Sequence, residues 1–259
     1  DVFHQVFNGF TEFAKSKISQ LSPDLRIESR EGKVIHGADS LTSIIRRLPE
    51  VATAAPTIEE HALAIYSGRQ MPVVMKGVTE AYDTITDIRP IVKDDGAWIL
   101  SDSIYGDFAT LSVGVAITLE AHPGFYRSLD LYVPRRTGRI NPANTAASFR
   151  SDSLLVGGVF QTEQAEFDTD LILLPLAATR RMLDYTDEAT AIEVSLAPGI
   201  SDSKGAKALR QMLGDSFYVK DRIHQQEQSF KMISIEKWIT FFLLAFILII
   251  AAFNVISTL

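Results

Sequence analysis

The sequence predicts an α+β fold: a mixed α/β domain in two segments, a β-rich insert between them, a helix at each end and one C-terminal transmembrane helix. Three observations carry this reading. Trp238 to Ile256 is a run of nineteen residues whose strongly polar members are Thr240 and Asn254. At about 1.5 Å per residue such a helix spans close to the ~30 Å hydrocarbon core of a bilayer. Strand-period and helix-period segments alternate over 24–96 and again over 170–220, whereas 97–161 holds short apolar runs punctuated by Gly, Pro and Ser. Finally, apolar side chains at spacings of three and four mark a helical face over 1–21, and 224–237 continues into the apolar run without a breaker.

Taken in order, Val2, Phe3, Val6, Phe7, Phe10, Phe13, Ile18 and Leu21 form the face of the first helix, with Gly9 inside it and Ser22-Pro23 ending it. Asp24–Ser29 alternates as a strand. Asp39 or Ser40 is placed to cap a helix through Leu48. Val51–Ile58, Leu63–Tyr66 and Met71–Val78 read as strands, with Gly77 a candidate bulge. In the insert, Ile99–Leu100, Val113–Leu119, Leu129–Val133 and Ser153–Phe160 read as strands, and 134–150 as an exposed hairpin tip. The first texture then returns: strand Asp170–Pro175, helix Leu176–Leu183, strand Ala191–Leu196, helix Ser203–Leu213 capped by Ser201 or Asp202, and strand Phe217–Lys220. The divisions are therefore 1–22, 23–96, 97–161, 162–223, 224–237 and 238–259. Lys237 and Trp238 are expected interfacial anchors of the span. Asn254 is costly in lipid and predicts a partner on another helix. The span also predicts that the chain is part of a longer membrane protein.

A net charge of −7 argues against nucleic acid as a partner, since such proteins carry basic footprints. The absence of cysteine excludes disulfides and thiolate metal sites. His4, His36, His61, His122 and His224 are scattered without carboxylates at ligand spacing, so no metal is expected. Neither a Gly-rich phosphate loop nor a GxSxG frame is present, so no cofactor and no enzyme activity are expected. The acid pairs Glu59-Glu60, Asp94-Asp95 and Asp187-Glu188 read as solvated residues. One charge feature stands out: residues 127–150 hold five arginines against Asp130, a net +4, which leaves −11 on the rest of the chain. A basic tip on an acidic body steers an acidic partner.

The ends of the chain resemble the permease subunits of lipoprotein-releasing ABC transporters, the LolC/LolE type within the larger MacB/FtsX-like group. The resemblance rests on Val6-Phe7-Asn8-Gly9-Phe10, on Ala251-Ala252-Phe253-Asn254-Val255-Ile256-Ser257, and more weakly on Met75-Lys76-Gly77-Val78 and Gly157-Gly158-Val159-Phe160. Ser101 departs from the glycine usual in the Ile-Leu-Gly turn. The resemblance implies a Porter-like mixed α/β domain in two sequence segments with a β-rich Sabre-like insert, held in the periplasm on stalk helices. It implies as partners a cytoplasmic ABC ATPase subunit, a second permease subunit (the same or a sister), a LolA-like periplasmic carrier and lipoprotein cargo. By position, Arg135, Arg136, Arg139, Ile140 and Pro142 would be the carrier-docking tip. Phe3, Phe7, Phe10, Phe230 and Ile233 would face the cargo's acyl chains or the neighbouring stalk. A MacB-like efflux or FtsX-like division permease shares the same plan; a ligand-sensing transmembrane receptor is the alternative from another class.

Overall fold

The computed structural model describes residues 20–93, 95–135 and 148–225. The expected helix over 1–21, apart from its last two residues, residues 136–147 of the expected hairpin tip 134–150, and the predicted span Trp238–Leu259 with Asn254 lie outside the described residues. Among the described residues no helix is long and apolar enough to cross a membrane.

Ten strands and seven α-helices follow one another as β1 (Leu25–Ser29), α1 (Ala38–Ile45), β2 (Val51–Tyr66), β3 (Arg69–Val78), α2 (Tyr82–Ile85), β4 (Ser101–Asp102), β5 (Gly106–Ser112), α3 (Val113–Leu119), β6 (Gly124–Pro134), β7 (Phe149–Phe160), α4 (Ala165–Asp168), β8 (Leu171–Pro175), α5 (Leu176–Leu183), β9 (Ala191–Leu196), α6 (Asp202–Leu213), β10 (Phe217–Asp221) and α7 (Arg222–Gln225), counted among the described residues. The fold is thus mixed α/β, as expected. Pairing runs β10-β1-β9-β2-β3-β8-β5-β7-β6, and β6 returns to β2. Six strands from β2 to β6 therefore close on themselves, while β9, β1 and β10 extend from β2 as an open sheet. Two joints of the closed part are parallel, β3 with β8 and β5 with β7.

The two halves share β2, a single strand of sixteen residues where two separate strands were expected. Its first half pairs with β9, from Val51 opposite Leu196 to Thr57 opposite Ala191. From Ile58 onward it pairs with β3, and Leu63 to Ile65 also take up β6. The polar interruption at Glu59-Glu60-His61 does not break the strand, because Glu59 has charged partners described below.

Helices seal the barrel. Val113–Leu119 was expected as a strand from its β-branched, apolar composition; it forms α3 instead. The strand before it ends at Ser112, and Val115, Ala116 and Leu119 then turn inward on one helical face to be buried. Tertiary burial overrides local propensity here. Because β5 and β8 run antiparallel, α3 and α5, which follow them, leave opposite ends of the barrel. Leu176, Ala178, Thr179, Met182 and Leu183 of α5 are buried, with Arg180 and Arg181 on its outer side as expected. Gly77 is not a bulge: it keeps register with Ile58 and Leu174 on its two sides. Its missing side chain makes room for α5, since a Cβ there would stand 2.3 Å from Thr179 Oγ1.

Two expected caps resolve differently. Neither Asp39 nor Ser40 caps α1; Gly37 does, in the left-handed region at φ 65°, with no side-chain cap. Asp39 instead accepts two hydrogen bonds from Arg180, at 2.9 and 2.8 Å. On α6, Ser201 is the cap, its hydroxyl accepting from the Lys204 amide at 3.3 Å. Ile99–Leu100 is not a strand; β4 begins one residue later at Ser101.

Substituting Gly77→Ala should lower stability by roughly 1–3 kcal/mol through overpacking against Thr179. Thermal denaturation should show a midpoint several degrees lower. An unchanged midpoint would mean that α5 can retreat from β3 without cost.

Candidate functional site

The residues predicted to dock a carrier meet the structure in one place. Arg135 stands at the mouth of the β6–β7 hairpin, where Pro134 is opposite Phe149. Its amide donates to the Ser148 carbonyl at 2.8 Å, and its Nε donates to the Phe149 carbonyl at 3.4 Å. The side chain is exposed. Arg136, Arg139, Ile140 and Pro142 lie outside the described residues, as do the stalk candidates Phe3, Phe7, Phe10, Phe230 and Ile233.

What the structure does assemble is the base of the domain, where the chain enters and leaves. β1 and β10 are antiparallel neighbours, with Leu25 opposite Asp221, so the residues before 25 and after 221 share one end of the sheet. Asp24 ties the two passages together. Its carboxylate accepts from the Leu196 amide at 2.7 Å and pairs with Arg222. Gln225 Nε2 donates to the Pro23 carbonyl at 3.2 Å. Before the Ser22-Pro23 break, the Gln20 carbonyl accepts from the Asp87 amide at 2.9 Å. Leu21 is buried in an apolar cluster with Val78, Tyr82, Ile88, Leu100, Phe160, Leu171 and Leu173.

Directly inside this base lies a row of charges on one face of the sheet. Alternation along β1 turns Leu25 and Ile27 into the core and Arg26 and Glu28 to the other face. Arg26 is flanked across the strands by Lys220 of β10 and Glu193 of β9. In the adjacent β2–β3 pair, Glu59 is opposite Lys76. Arg26 donates to Glu59 Oε1 at 2.7 Å and to Glu28 Oε1 at 2.8 Å, and reaches Glu193 Oε1 at 3.3 Å. Lys76 Nζ donates to Glu193 Oε1 at 2.6 Å and lies 3.3 Å from Glu59 Oε1. Lys220 pairs with Glu28. Three cations thus balance three carboxylates. Lys76 is 4% exposed and Glu193 fully buried. The Lys76 ammonium also sits 5.2 Å from the centre of the Tyr82 ring, which packs 6.0 Å from Trp98.

Burial by itself would lower the Lys76 ammonium, but Glu193, Tyr82 and Glu59 around it raise it above its ordinary value. Burial would raise the Glu59 carboxyl, yet Arg26 and Lys76 hold it well below the usual carboxylate range. The Tyr82 phenol is pushed up by burial to about 12. Lys76 and Glu59 are therefore held in their ionised forms by their neighbours. Such a cluster fixes strand register. A small cavity of about 170 Å³ opens beside it, lined among others by Leu21, Pro23, Arg26, Glu59, Lys76 and Phe167. The solvated reading of Glu59 is thus corrected. The sequence signal for this cluster was a single charge within an apolar run, Lys76 in MPVVMKGV and Glu193 in AIEVSL.

The fold belongs to a known class: the chain is a member of the MacB-like periplasmic core domain family, whose model matches residues 4–212. It is similar to the lipoprotein-releasing system transmembrane protein LolC of Neisseria meningitidis serogroup B, 25% identical over 263 residues, covering 98% of this chain and 60% of that protein. It is similar also to the LolC protein of Xylella fastidiosa, 22% identical over 253 residues, covering 98% of this chain and 59% of the relative. The chain thus spans about 60% of the length of these curated relatives. It shares its fold with the periplasmic region of MacB from Actinobacillus actinomycetemcomitans, with TM-score 0.55 at 10% identity over 84% of this chain and 97% of that one. The extracellular domain of the noncanonic ABC-type transporter YknZ from Gram-positive bacteria matches with TM-score 0.51 at 11% identity, over 76% and 99% of the two chains.

Lys76→Met should cost about 3–5 kcal/mol, because it leaves Glu193 and Glu59 short of a cation in a buried setting. Adding Glu193→Gln to that variant should recover part of the loss in chemical denaturation; no recovery would mean that Lys76 acts through packing alone. The pH dependence follows from the same contacts. Raised values at Lys76 and Tyr82 contribute stability that is complete below about pH 10 and is lost as pH climbs towards about 12. The lowered Glu59 value contributes stability above about pH 4.5 that is lost as pH falls further, through its native value. Denaturation midpoints measured across this range should therefore fall at both extremes, and the Lys76→Met variant should flatten the alkaline limb.

Proposed function

We propose that this chain is the periplasmic part of an ABC transporter permease of the lipoprotein-releasing type. It would couple ATP hydrolysis by a cytoplasmic subunit to extraction of lipoproteins from the inner membrane and their hand-over to a LolA-like carrier. The observation that carries the reading is likeness to LolC proteins along 98% of the chain, rather than along one segment. The reading divides the chain into Porter-like segments 23–96 and 162–223 and a Sabre-like insert at 97–161. Hydrogen bonding from β5 to β8 and from β6 to β2 joins the insert to the rest. A helix over 1–22, another over 224–237 and a membrane span over 238–259 would connect the base to the bilayer. A second permease subunit, the same or a sister, would complete the acyl-chain cavity between the stalks, with Phe3, Phe7, Phe10, Phe230 and Ile233 facing it.

The base supports a lever mechanism. Both passages of the chain are bonded to one end of the sheet through Asp24, Arg222 and Gln225, and the charge row behind them resists sliding of β1 against β9. Tilting of the two stalks is then passed to the whole domain as a rigid displacement.

The test is reconstitution of the full-length permease with its ATPase in proteoliposomes loaded with a fluorescent lipoprotein. Release to an added LolA-type carrier should require ATP. ATP-dependent export of a small amphiphile with no lipoprotein release would overturn the cargo in favour of an efflux permease. Phe230→Pro should leave ATP hydrolysis intact while release falls at least tenfold, because proline breaks a helix interior. Unchanged release by that variant would remove the lever from the mechanism.

A further inference from the structure

Strand β7 leaves the barrel with one side open. From Leu155 onward it lies beside β5, where Phe108 is opposite Leu155. Before that point, residues 149–154 have β6 on one side and, among the described residues, no strand on the other. β6 in turn keeps β2 alongside no further than Tyr132. The last two rungs, Val133 opposite Arg150 and Pro134 opposite Phe149, therefore belong to a two-stranded ribbon. Such a ribbon is marginal in water unless something packs against it.

What meets it here is the C-terminal end of α5. Cross-strand partners share a face, so the buried Leu131 and Val133 stand on the same face as Asp152 and Arg150. Alternation leaves Phe149, Ser151 and Ser153 exposed on the other face. On the inner face β7 thus carries two opposite charges, and α5 answers both. Arg181 donates to Asp152 at 2.8 Å and to Asp107 of β5 at 2.6 Å, which joins the two parallel strands at their starts. Arg150 reaches back, pairing with Asp184 at 3.1 Å and donating to the Arg181 carbonyl at 3.3 Å. One exposed ion pair holds little, but these contacts form a network across three elements. The same helix is seated on β3, where Thr179 fills the space beside Gly77, next to Lys76 of the charged row. One helix therefore touches both the strand tied to the base and the root of the hairpin.

We propose that Arg181 and Arg150 are positioning residues for hand-over to the carrier. They fix the direction in which the β6–β7 hairpin leaves the barrel, so that displacement of the domain carries the hairpin with it. This rests on the carrier reading above, with the hairpin as the docking arm. Without the clamp the hairpin keeps its own contacts but points correctly for a smaller fraction of the time, and apparent affinity falls by that fraction.

The experiment uses the full-length permease with its ATPase in a bilayer. Residues 1–259 contain no cysteine. Once any cysteine elsewhere is replaced, spin labels at Phe149→Cys and Lys207→Cys, exposed on the hairpin root and on α6, report the hairpin's direction as a distance distribution. The unaltered background should give one narrow distribution that widens as added salt screens the pairs. Arg150→Ala/Arg181→Ala should widen it at low salt. Arg181→Lys, which keeps the charge but not the fork, should give an intermediate width. Arg69→Ala, which removes the exposed pair with Glu120, should leave it unchanged. In ATP-dependent release, the unlabelled double variant should need about fivefold more carrier for half-maximal release if the competent fraction falls to about one fifth. ATP hydrolysis and release at saturating carrier should be preserved, whereas a merely destabilised domain would lose both. An unchanged distribution in the double variant would overturn the clamp. A widened distribution with an unchanged carrier requirement would overturn its part in hand-over. If the unaltered permease releases nothing to the carrier, the carrier reading falls and this role with it, while the distances still report whether the clamp holds.

Discussion

Strand β2 is the constraint on which the rest of the structure depends. It is long enough to belong to two assemblies at once, an open sheet along its first half and a closed barrel along its second. Glu59 sits just past the changeover and is tied to Lys76 of β3 and Arg26 of β1. One carboxylate therefore bonds the first barrel joint to the open sheet. A strand that served only one of these sheets could pair just as well after a two-residue slip. Here a slip of β2 and β3 against β9 would carry Glu59 away from Arg26 and Lys76 away from the buried Glu193. Specification of register is the best-attested use of a buried ionic cluster, and this cluster sits where two registers must agree.

Much of this architecture was legible in the sequence, because the apolar periods are strong where a face is buried. β9 was read with its observed bounds from the alternation in AIEVSL, and α5 from its apolar spacing and outward arginines. The failures have a common physical origin: contacts from far along the chain decide the outcome. Val113–Leu119 carries a strand composition, yet becomes a helix because the barrel has an open end to be covered just after Ser112. Gly77 looks like a bulge until Thr179, about a hundred residues later, occupies the space beside it. The charged row was the largest miss. Arg26, Glu59, Lys76 and Glu193 are each unremarkable alone, and only the pairing of β1 with β9 and of β2 with β3 brings them together. The basic stretch at 127–150 could be counted without any fold, but only the pairing of β6 with β2 and β7 shows that Arg127, beside Ser67, stands at the other end of β6 from Arg135.

The pairing of β1 with β10 has a mechanical consequence. The two strands are antiparallel and their outer ends, at Leu25 and Asp221, lie side by side at the base. Loads that draw these ends apart act on such a pair as a zipper, breaking one rung at a time, whereas loads that move both ends together meet the whole ladder at once. The domain is therefore stiff to joint motion of its two attachments and yielding to their separation. Asp24–Arg222 and Gln225–Pro23 are stitched across the mouth of that zipper, ahead of its first rung. These contacts must break before the first rung can open.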